Sequence, residues 1–216
     1  MTDKNRFLRS VPVVDVTEDH WRGHVAGAPI TYPEGTVLIG IDPGKNGSLA
    51  ALNHDGRRII EFRDQPLIQS GKTGDLDLGT MAEQLRHWEP EKTQVALERV
   101  NPMPARRRPG PPCPKCKRPF TTTSMGASSA FSFGGVFYAW RAILTTLGLP
   151  FRLVTPQRWK KLIMDGCPRS DTDSGRKEVS RQRALELWPA SREQMKLKKH
   201  HARAEAALIA ASLLRV

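Results

Sequence analysis

Three short, mostly apolar runs follow one another between residues 37 and 62, separated by turns that contain glycine. They span residues 37–42, 47–53 and 57–62. Runs of this length, bounded by turn residues, fit buried strands better than helices. The last two runs are separated by His54-Asp55-Gly56, and an Asp-Gly pair between two such runs is typical of a β-hairpin. The sequence therefore predicts an antiparallel meander of three strands.

Strand and helix patterns alternate further along the chain. Apolar residues recur every three or four positions from Leu78 to Trp88, as on one face of a helix, and Pro90 ends that pattern. Thr155 followed by Pro156 is a favoured start for another helix. The remaining predicted elements are strands over 93–98 and 150–155 and helices over 128–147, 178–188 and 200–215. Three antiparallel strands followed by strands that alternate with helices predict an α/β fold, with a mixed five-stranded sheet flanked by helices on both faces.

The charge of the chain indicates its class of partner. Lys and Arg number 34 against 22 Asp and Glu, a formal net charge of +12, which favours a polyanion such as nucleic acid. We interpret residues 1–35 as an N-terminal arm or tail without regular structure, and residues 36–216 as one domain. A basic insertion over about residues 101–124 interrupts that domain. Its expected DNA-binding side chains are Arg106, Arg107, Arg108, Lys115, Lys117 and Arg118.

The insertion also contains Cys113-Pro114-Lys115-Cys116, the spacing of half a zinc knuckle. A closed zinc site needs four ligands, which Cys167 with a histidine, or a partner chain, would have to complete. The alternative is a pair of reduced thiols in a basic loop. Three cysteines do not form a disulfide framework, and no run is long enough to span a membrane. We expect a protein of the bacterial or phage-infected cytoplasm with no membrane partner.

Three acidic residues stand where a carboxylate is unexpected. Asp42 and Glu98 each end an apolar strand, and Glu205 lies among alanines in the last predicted helix. His201 is one helical turn before Glu205 and on the same face. Singly, each acid has an ordinary explanation as a turn residue, an ion-pair partner or a surface group. Together, in a basic chain, they indicate an oxygen-rich site for Mg²⁺ or Mn²⁺.

Three segments in this order resemble the catalytic motifs of the RuvC-type Holliday junction resolvases, most closely the phage and prophage branch. They are Ile39-Gly40-Ile41-Asp42-Pro43-Gly44, Leu97-Glu98-Arg99-Val100 and Arg203-Ala204-Glu205-Ala206. Residues 128–150 resemble the dimerisation helix of that family. Residues 154–161 resemble the segment that brings a lysine near the DNA, and Lys177 matches a second family lysine. The resemblance covers about residues 37–215.

The resemblance implies an RNase H-like fold, a homodimer and cleavage that requires two Mg²⁺ or Mn²⁺ ions per active site. Asp42, Glu98 and Glu205 are the implied ligands, and Lys160 is the implied catalytic lysine. Lys160, Lys161 and Lys177 are also expected to contact DNA. The family has a second metal ligand in its last helix, whereas Ala202 stands three residues before Glu205 here. His201 is the candidate for that missing ligand.

The predicted function is structure-selective cleavage of four-way DNA junctions by paired symmetric nicks that leave 5′ phosphates. A nuclease that debranches a wider range of DNA structures and a catalytically degenerate DNA-binding protein are the alternatives. An actin-like or sugar-kinase ATPase shares the Asp-x-Gly-x-x-Gly turn at residues 42–47. It would require a second related domain and a second phosphate loop, which this sequence does not contain.

Overall fold

The computed structural model describes residues 29–69, 74–100, 108–117, 119–122 and 127–215. Its centre is a five-stranded mixed sheet in the order β3-β2-β1-β6-β9. The strands of this sheet are β1 (Val37–Asp42), β2 (Ser48–Asn53), β3 (Ile59–Asp64), β6 (Thr93–Glu98) and β9 (Phe151–Val154). Two short hairpins lie outside it, formed by β4 (Leu67–Ile68) with β5 (Asp75–Leu76) and by β7 (Arg108–Pro112) with β8 (Pro119–Thr122).

Strand directions follow the lengths of the connections. β1, β2 and β3 are joined by tight turns and pair antiparallel, and Gly56 has a φ of 70° in the second turn. β6 and β9 follow helices and run parallel to β1 and to β6 respectively. The predicted fold class is confirmed: this order and these directions form the mixed five-stranded sheet of an α/β fold.

Helices cover both faces of the sheet. They are α1 (Leu78–Arg86), α2 (Ala127–Thr146), α3 (Pro156–Ile163), α4 (Asp173–Leu187), α5 (Arg192–Met195) and α6 (His201–Ala211). The core on one face joins α1 and α2 to the sheet, with Trp140 and Leu144 fully buried. The core on the other face joins α3, α4 and α6, and there Trp159 and Leu208 are fully buried.

Apolar periodicity predicted most of these elements correctly, and a capping residue explains why α4 begins earlier than predicted. Thr155 caps α3 as predicted, since its side chain accepts a hydrogen bond from the Arg158 N–H. α4 begins at Asp173 instead of residue 178 because the Thr172 side chain caps it by accepting from the Gly175 N–H. The predicted loop over residues 101–124 contains the β7–β8 hairpin.

The described part of the predicted N-terminal arm packs against the end of the chain. Pro29 forms an isolated antiparallel bridge with Arg215, and the Tyr32 hydroxyl donates to the Leu213 carbonyl at 3.2 Å. Residues 1–28 of that arm lie outside the described residues. No helix in the described ranges is long and apolar enough to span a membrane.

Candidate active site

Asp42, Glu98 and Glu205 come together at one edge of the sheet. β1 and β6 are parallel neighbours with Ile41 opposite Leu97, so Asp42 and Glu98 leave adjacent strands at the same edge. Glu205 approaches from α6, which packs across β1 and β2. All three side chains are half-buried. The strand pairing and the helix packing thus place three acids from distant parts of the sequence within electrostatic reach of one another.

The close approach of α6 depends on a glycine in β1. A Cβ atom at Gly40 would lie only 2.0 Å from the Ala206 carbonyl oxygen and 2.3 Å from the Ala210 nitrogen. The helix backbone therefore rests directly on the strand, and its buried face consists largely of alanines. Because Glu205 directly precedes Ala206, this contact fixes how near its carboxylate comes to Asp42.

The carboxylates repel one another. Burial raises the pKa of Asp42 well above its ordinary value, and the charges of Glu98 and Glu205 raise it further. The Gly44 N–H, which donates to Asp42 Oδ1 at 3.3 Å, and Lys177 act in the opposite direction on that pKa. Burial also raises the pKa of Glu98. A cluster of this kind is costly in its charged form unless a cation compensates it.

Neutral donors orient two of the acids. Trp159, in the first turn of α3, donates from Nε1 to Glu98 Oε1 at 2.7 Å. The buried Ser180 hydroxyl of α4 donates to Glu205 Oε1 at 3.1 Å. Because only one oxygen of each carboxylate is engaged in these bonds, the other remains available to a ligand.

Lysines border the acids on two sides. Lys160 Nζ lies 5.0 Å from the centre of the Trp159 ring, and its charge lowers the pKa of Glu98. Lys177 lowers the pKa of Asp42 and pairs with Asp173 at 3.2 Å. Lys161 is exposed on α3. Two of the three lysines expected to contact DNA therefore lie within electrostatic reach of the carboxylates.

His201 begins α6 and faces a different neighbourhood. Its Nδ1 lies 3.2 Å from the Lys198 carbonyl oxygen, and the ring lines a cavity of about 320 Å³ together with Lys177 and Glu178. The charges that influence the pKa values of Asp42 and Glu98 do not include His201. Its role as a metal ligand stays a prediction. In the described part of the chain, no three His, Cys, Asp or Glu side chains are grouped closely enough to hold a metal ion.

The cysteine pair lies in the turn of the β7–β8 hairpin. The Lys117 N–H donates to the Cys113 carbonyl at 2.8 Å, and Lys117 takes the left-handed φ of 58°. The backbone N–H groups of Cys116 and Lys115, together with the Cys116 side chain, lower the pKa of the Cys113 thiol.

The basic side chains of the insertion are described only in part. Lys115 and Lys117 are exposed in the hairpin turn. Arg106, Arg107 and Arg118 lie outside the described residues, as does the side chain of Arg108.

Sequence reasoning missed Trp159 and Ser180 and assigned Lys177 only to DNA. The signal for Trp159 lies in the sheet register, because Glu98 pairs with Val154 and α3 begins two residues later. The first turn of α3, which contains Trp159, must therefore lie beside Glu98. Ser180 follows Lys177 by three residues on α4, so both lie on one helical face. Neither relation can be seen without the strand pairing and the helix packing.

Comparisons with known proteins add one structural likeness. No family model matches the chain, and no curated protein does. Among solved structures, the chain is similar to RuvC of T. thermophilus in complex with a Holliday junction substrate. The TM-score is 0.45 with 17% sequence identity, over 81% of this chain and 90% of that one. A similarity of this size does not bear on the chemistry, which has to be inferred from the residues of the site.

Proposed function

We propose that this protein is a metal-dependent DNA endonuclease of the RuvC type, of the phage and prophage branch, that resolves four-way junctions. The observation that carries the proposal is the convergence of Asp42, Glu98 and Glu205 at one sheet edge, with Lys160 and Lys177 beside them. A charged carboxylate cluster with lysines around it suits a phosphate ester held with divalent cations. The three sequence motifs that resemble the family contribute these same acids.

The donor set fits Mg²⁺ or Mn²⁺. The three candidate ligands are carboxylates, the ligand type that hard cations prefer. Burial, and after it the charges of neighbouring carboxylates, raise the pKa values of Asp42 and Glu98, and a bound divalent ion would offset both effects. Asp42, Glu98 and Glu205 would hold the ions, and His201 is the candidate for a fourth ligand. When bound, such ions supply an activated water and stabilise the leaving 3′ oxygen.

The surrounding side chains have separate tasks in hydrolysis. Trp159 and Ser180 keep the carboxylates of Glu98 and Glu205 in fixed orientations. Lys160 offsets negative charge that builds up on the phosphate as water adds to phosphorus. The bond from phosphorus to the 3′ oxygen then breaks, which leaves a 5′ phosphate and a 3′ hydroxyl.

Dimerisation would come through α2. Phe137 and Trp140 of this helix are buried against the sheet and are unavailable to a partner. The exposed aromatic residues of this helix are Phe131, Phe133 and Tyr138, with 85%, 36% and 63% of their surfaces accessible. Large apolar side chains exposed along one helix are a candidate for contact with a second copy. A dimer would carry two carboxylate sites, one in each copy, and could therefore make paired nicks.

Cleavage of a synthetic four-way junction, compared with a linear duplex of matched sequence, tests the proposal. Mg²⁺ should support cutting of the junction, and Asp42→Asn, Glu98→Gln and Glu205→Gln should each abolish cutting while junction binding is retained. Glu83→Gln is the matched control, because Glu83 is an exposed acid that pairs with Arg86 on α1. Junction binding without cleavage in any divalent metal would favour the degenerate DNA-binding protein instead. Cutting of forks and flaps at the junction rate would favour the debranching nuclease.

Zinc binding by Cys113 and Cys116 is a separate proposal. In the hairpin turn the Cys116 side chain lies near enough to the Cys113 thiol to lower its pKa, which is compatible with two ligands of a tetrahedral zinc site, and a second chain would have to supply the other two. Zinc content measured after purification in zinc-supplemented medium tests this, with Cys167→Ser as the control. Loss of one bound zinc per two chains in Cys113→Ser, and retention in Cys167→Ser, is the expected result.

A further inference from the structure

A polar hollow lies beside the carboxylates at the same edge of the sheet. Its volume is about 270 Å³, and its lining includes Lys45, Gln65, Lys199, His200 and Arg203. Lys45 belongs to the turn after β1, and Gln65 directly follows β3. Asp42 pairs with Ser48 of β2, which pairs with Asp64 of β3. Two strand spacings put the β3 end of the hollow roughly 10 Å from the end of β1.

Gln65 presents a buried donor with no acceptor. Its side chain is only 8% exposed, and its Oε1 accepts a hydrogen bond from Trp140 Nε1 at 2.9 Å, which fixes the orientation of the amide. The Nε2 group then has no hydrogen-bond partner among the described residues, and the same is true of His200 Nδ1. Buried polar atoms are rarely left without a partner, so these two indicate a ligand.

The charge around the hollow selects an anion. Lys45 and Lys199 are exposed, and neither forms an ion pair with another described residue. The single carboxylate in the lining, Asp64, is already occupied by Arg203, whose Nε and Nη2 donate to it at 2.7 and 2.5 Å. α6 begins at this hollow, and its N-cap residue His200 makes no side-chain cap hydrogen bond, so the positive end of the helix dipole adds to the field.

We infer that this hollow is a binding subsite for a backbone phosphate of the DNA strand that is cut, next to the phosphate held at the carboxylates. The inference rests on the proposed function. The Gln65 amide donates to a phosphate oxygen, and Lys45 and Lys199 neutralise its charge. By binding the neighbouring phosphate, the subsite would determine which phosphate of the strand lies at the carboxylates and is cut.

Junctions with a single neutral methylphosphonate linkage, moved one position at a time, test the subsite. Binding is measured in an Asp42→Asn background, so that no substrate is cut. In that parent, one linkage close to the cut site should weaken binding about tenfold because it removes charge-assisted contacts. In the variant Lys45→Gln/Lys199→Gln, the same methylphosphonate linkage should weaken junction binding less than about twofold, because the two lysine contacts to that phosphate are already lost. Gln65→Met, which removes the amide donor together with the acceptor of the Trp140 N–H, should give an intermediate penalty.

The charge-matched control is Arg57→Gln/Arg215→Gln, which removes two positive charges at the opposite end of the sheet. It should weaken binding uniformly and keep the full penalty at the one linkage. Equal penalties in the parent and in Lys45→Gln/Lys199→Gln at every linkage would overturn the inference. So would thermal stabilisation of the parent by 10 mM inorganic phosphate through Lys45 and Lys199 without any methylphosphonate effect, because the site would then take a free anion.

Failure of the subsite and failure of the proposed function give different results. If the nuclease proposal is wrong, the unmodified protein does not cut junctions in any divalent metal. If only the subsite is wrong, cutting persists and the methylphosphonate penalties are independent of Lys45 and Lys199.

Discussion

At the scale of single residues, protonation of Asp42 is coupled to folding. Burial and two neighbouring carboxylates raise its pKa, so the folded chain binds this proton more tightly than the unfolded chain does. Ionisation of Asp42 therefore destabilises the folded state once the pH exceeds the pKa that Asp42 has in the unfolded chain. The free energy of unfolding falls further with rising pH until the pH passes the raised pKa of Asp42 in the folded state. Without metal, Asp42→Asn should raise the melting temperature near neutral pH by about 2–4 °C, and the difference should vanish below about pH 4.

Thermal melts over pH 3–8 in chelator measure this effect. Millimolar Mg²⁺ should reverse the order, because the unmodified protein gains binding energy that Asp42→Asn lacks. Glu83→Gln should follow the unmodified protein throughout. An unmodified melting curve that Mg²⁺ leaves unchanged would remove Asp42 from the list of metal ligands.

Trp159 tunes Glu98 through one hydrogen bond. The indole N–H lowers the pKa of Glu98, so Trp159→Phe should raise that pKa and move the acid limb of the pH–rate profile to higher pH. Loss of a bond to a charged group should also reduce the cleavage rate about tenfold. Trp188→Phe is the matched control, because Trp188 is equally buried but donates to the Gly56 carbonyl at 2.8 Å, far from the acids. An unshifted profile in Trp159→Phe would make its role purely structural.

His201 is the residue on which the metal prediction depends most. A neutral imidazole prefers Mn²⁺ to Mg²⁺, so His201→Ala should lower the cleavage rate with both ions and His201→Asp should keep or raise it with Mg²⁺. The ring now lies against the Lys198 carbonyl, so it would have to turn toward Glu205 to bind an ion. Identical metal titrations of unmodified protein and His201→Ala would exclude this contact.

At the scale of elements, the packing of α6 on β1 determines whether a site exists at all. Gly40→Ala would drive a methyl group into the Ala206 carbonyl, so the helix must move away. We expect a loss of about 1–3 kcal/mol in the free energy of unfolding, together with loss of cleavage. Gly79→Ala in α1 should be neutral or slightly stabilising, because its new Cβ meets only Asp77 Oδ1 at 3.5 Å. Urea denaturation of both variants measures the difference.

The elements differ in how far the sequence determines them. The buried strands could be predicted because each is a short continuous apolar run. The helices could be predicted because burial of one face repeats apolar residues every three or four positions, with proline near an end. The β7–β8 hairpin could not, since its residues are mostly Pro, Lys and Arg and carry no alternating pattern.

At the site, the sequence alone was enough to identify Asp42, Glu98 and Glu205 as unusual acids. The contacts of Trp159 and Ser180 depend on register and helix packing, which no local pattern encodes.

At the scale of the whole molecule, the +12 net charge favours binding to DNA but does not select among DNA structures. Neutralising phosphates releases counterions from any duplex, so this contribution is shared by linear and branched DNA and weakens as salt rises. Selection of a junction requires a surface that holds two duplex arms at once. The proposed dimer, with two carboxylate sites, would provide such a surface, and the exposed Phe131 and Tyr138 of α2 are the candidate contacts between its copies.

We therefore expect junction selectivity and dimerisation to be lost together. In a competition titration at about 150 mM salt, the protein should keep its affinity for a four-way junction while binding to an equal-length duplex disappears. Phe131→Asp/Tyr138→Asp should sediment as one chain, bind both DNAs alike at low salt and make unpaired nicks. Leu78→Asp, a charge at an exposed apolar residue of α1, should behave as the unmodified protein. Equal affinity of the unmodified protein for junction and duplex would instead indicate a general nuclease. A monomer that still prefers junctions would mean that the two arms are held by one chain, and the β7–β8 hairpin, in which Lys115 and Lys117 are exposed, is then the candidate for a second DNA contact.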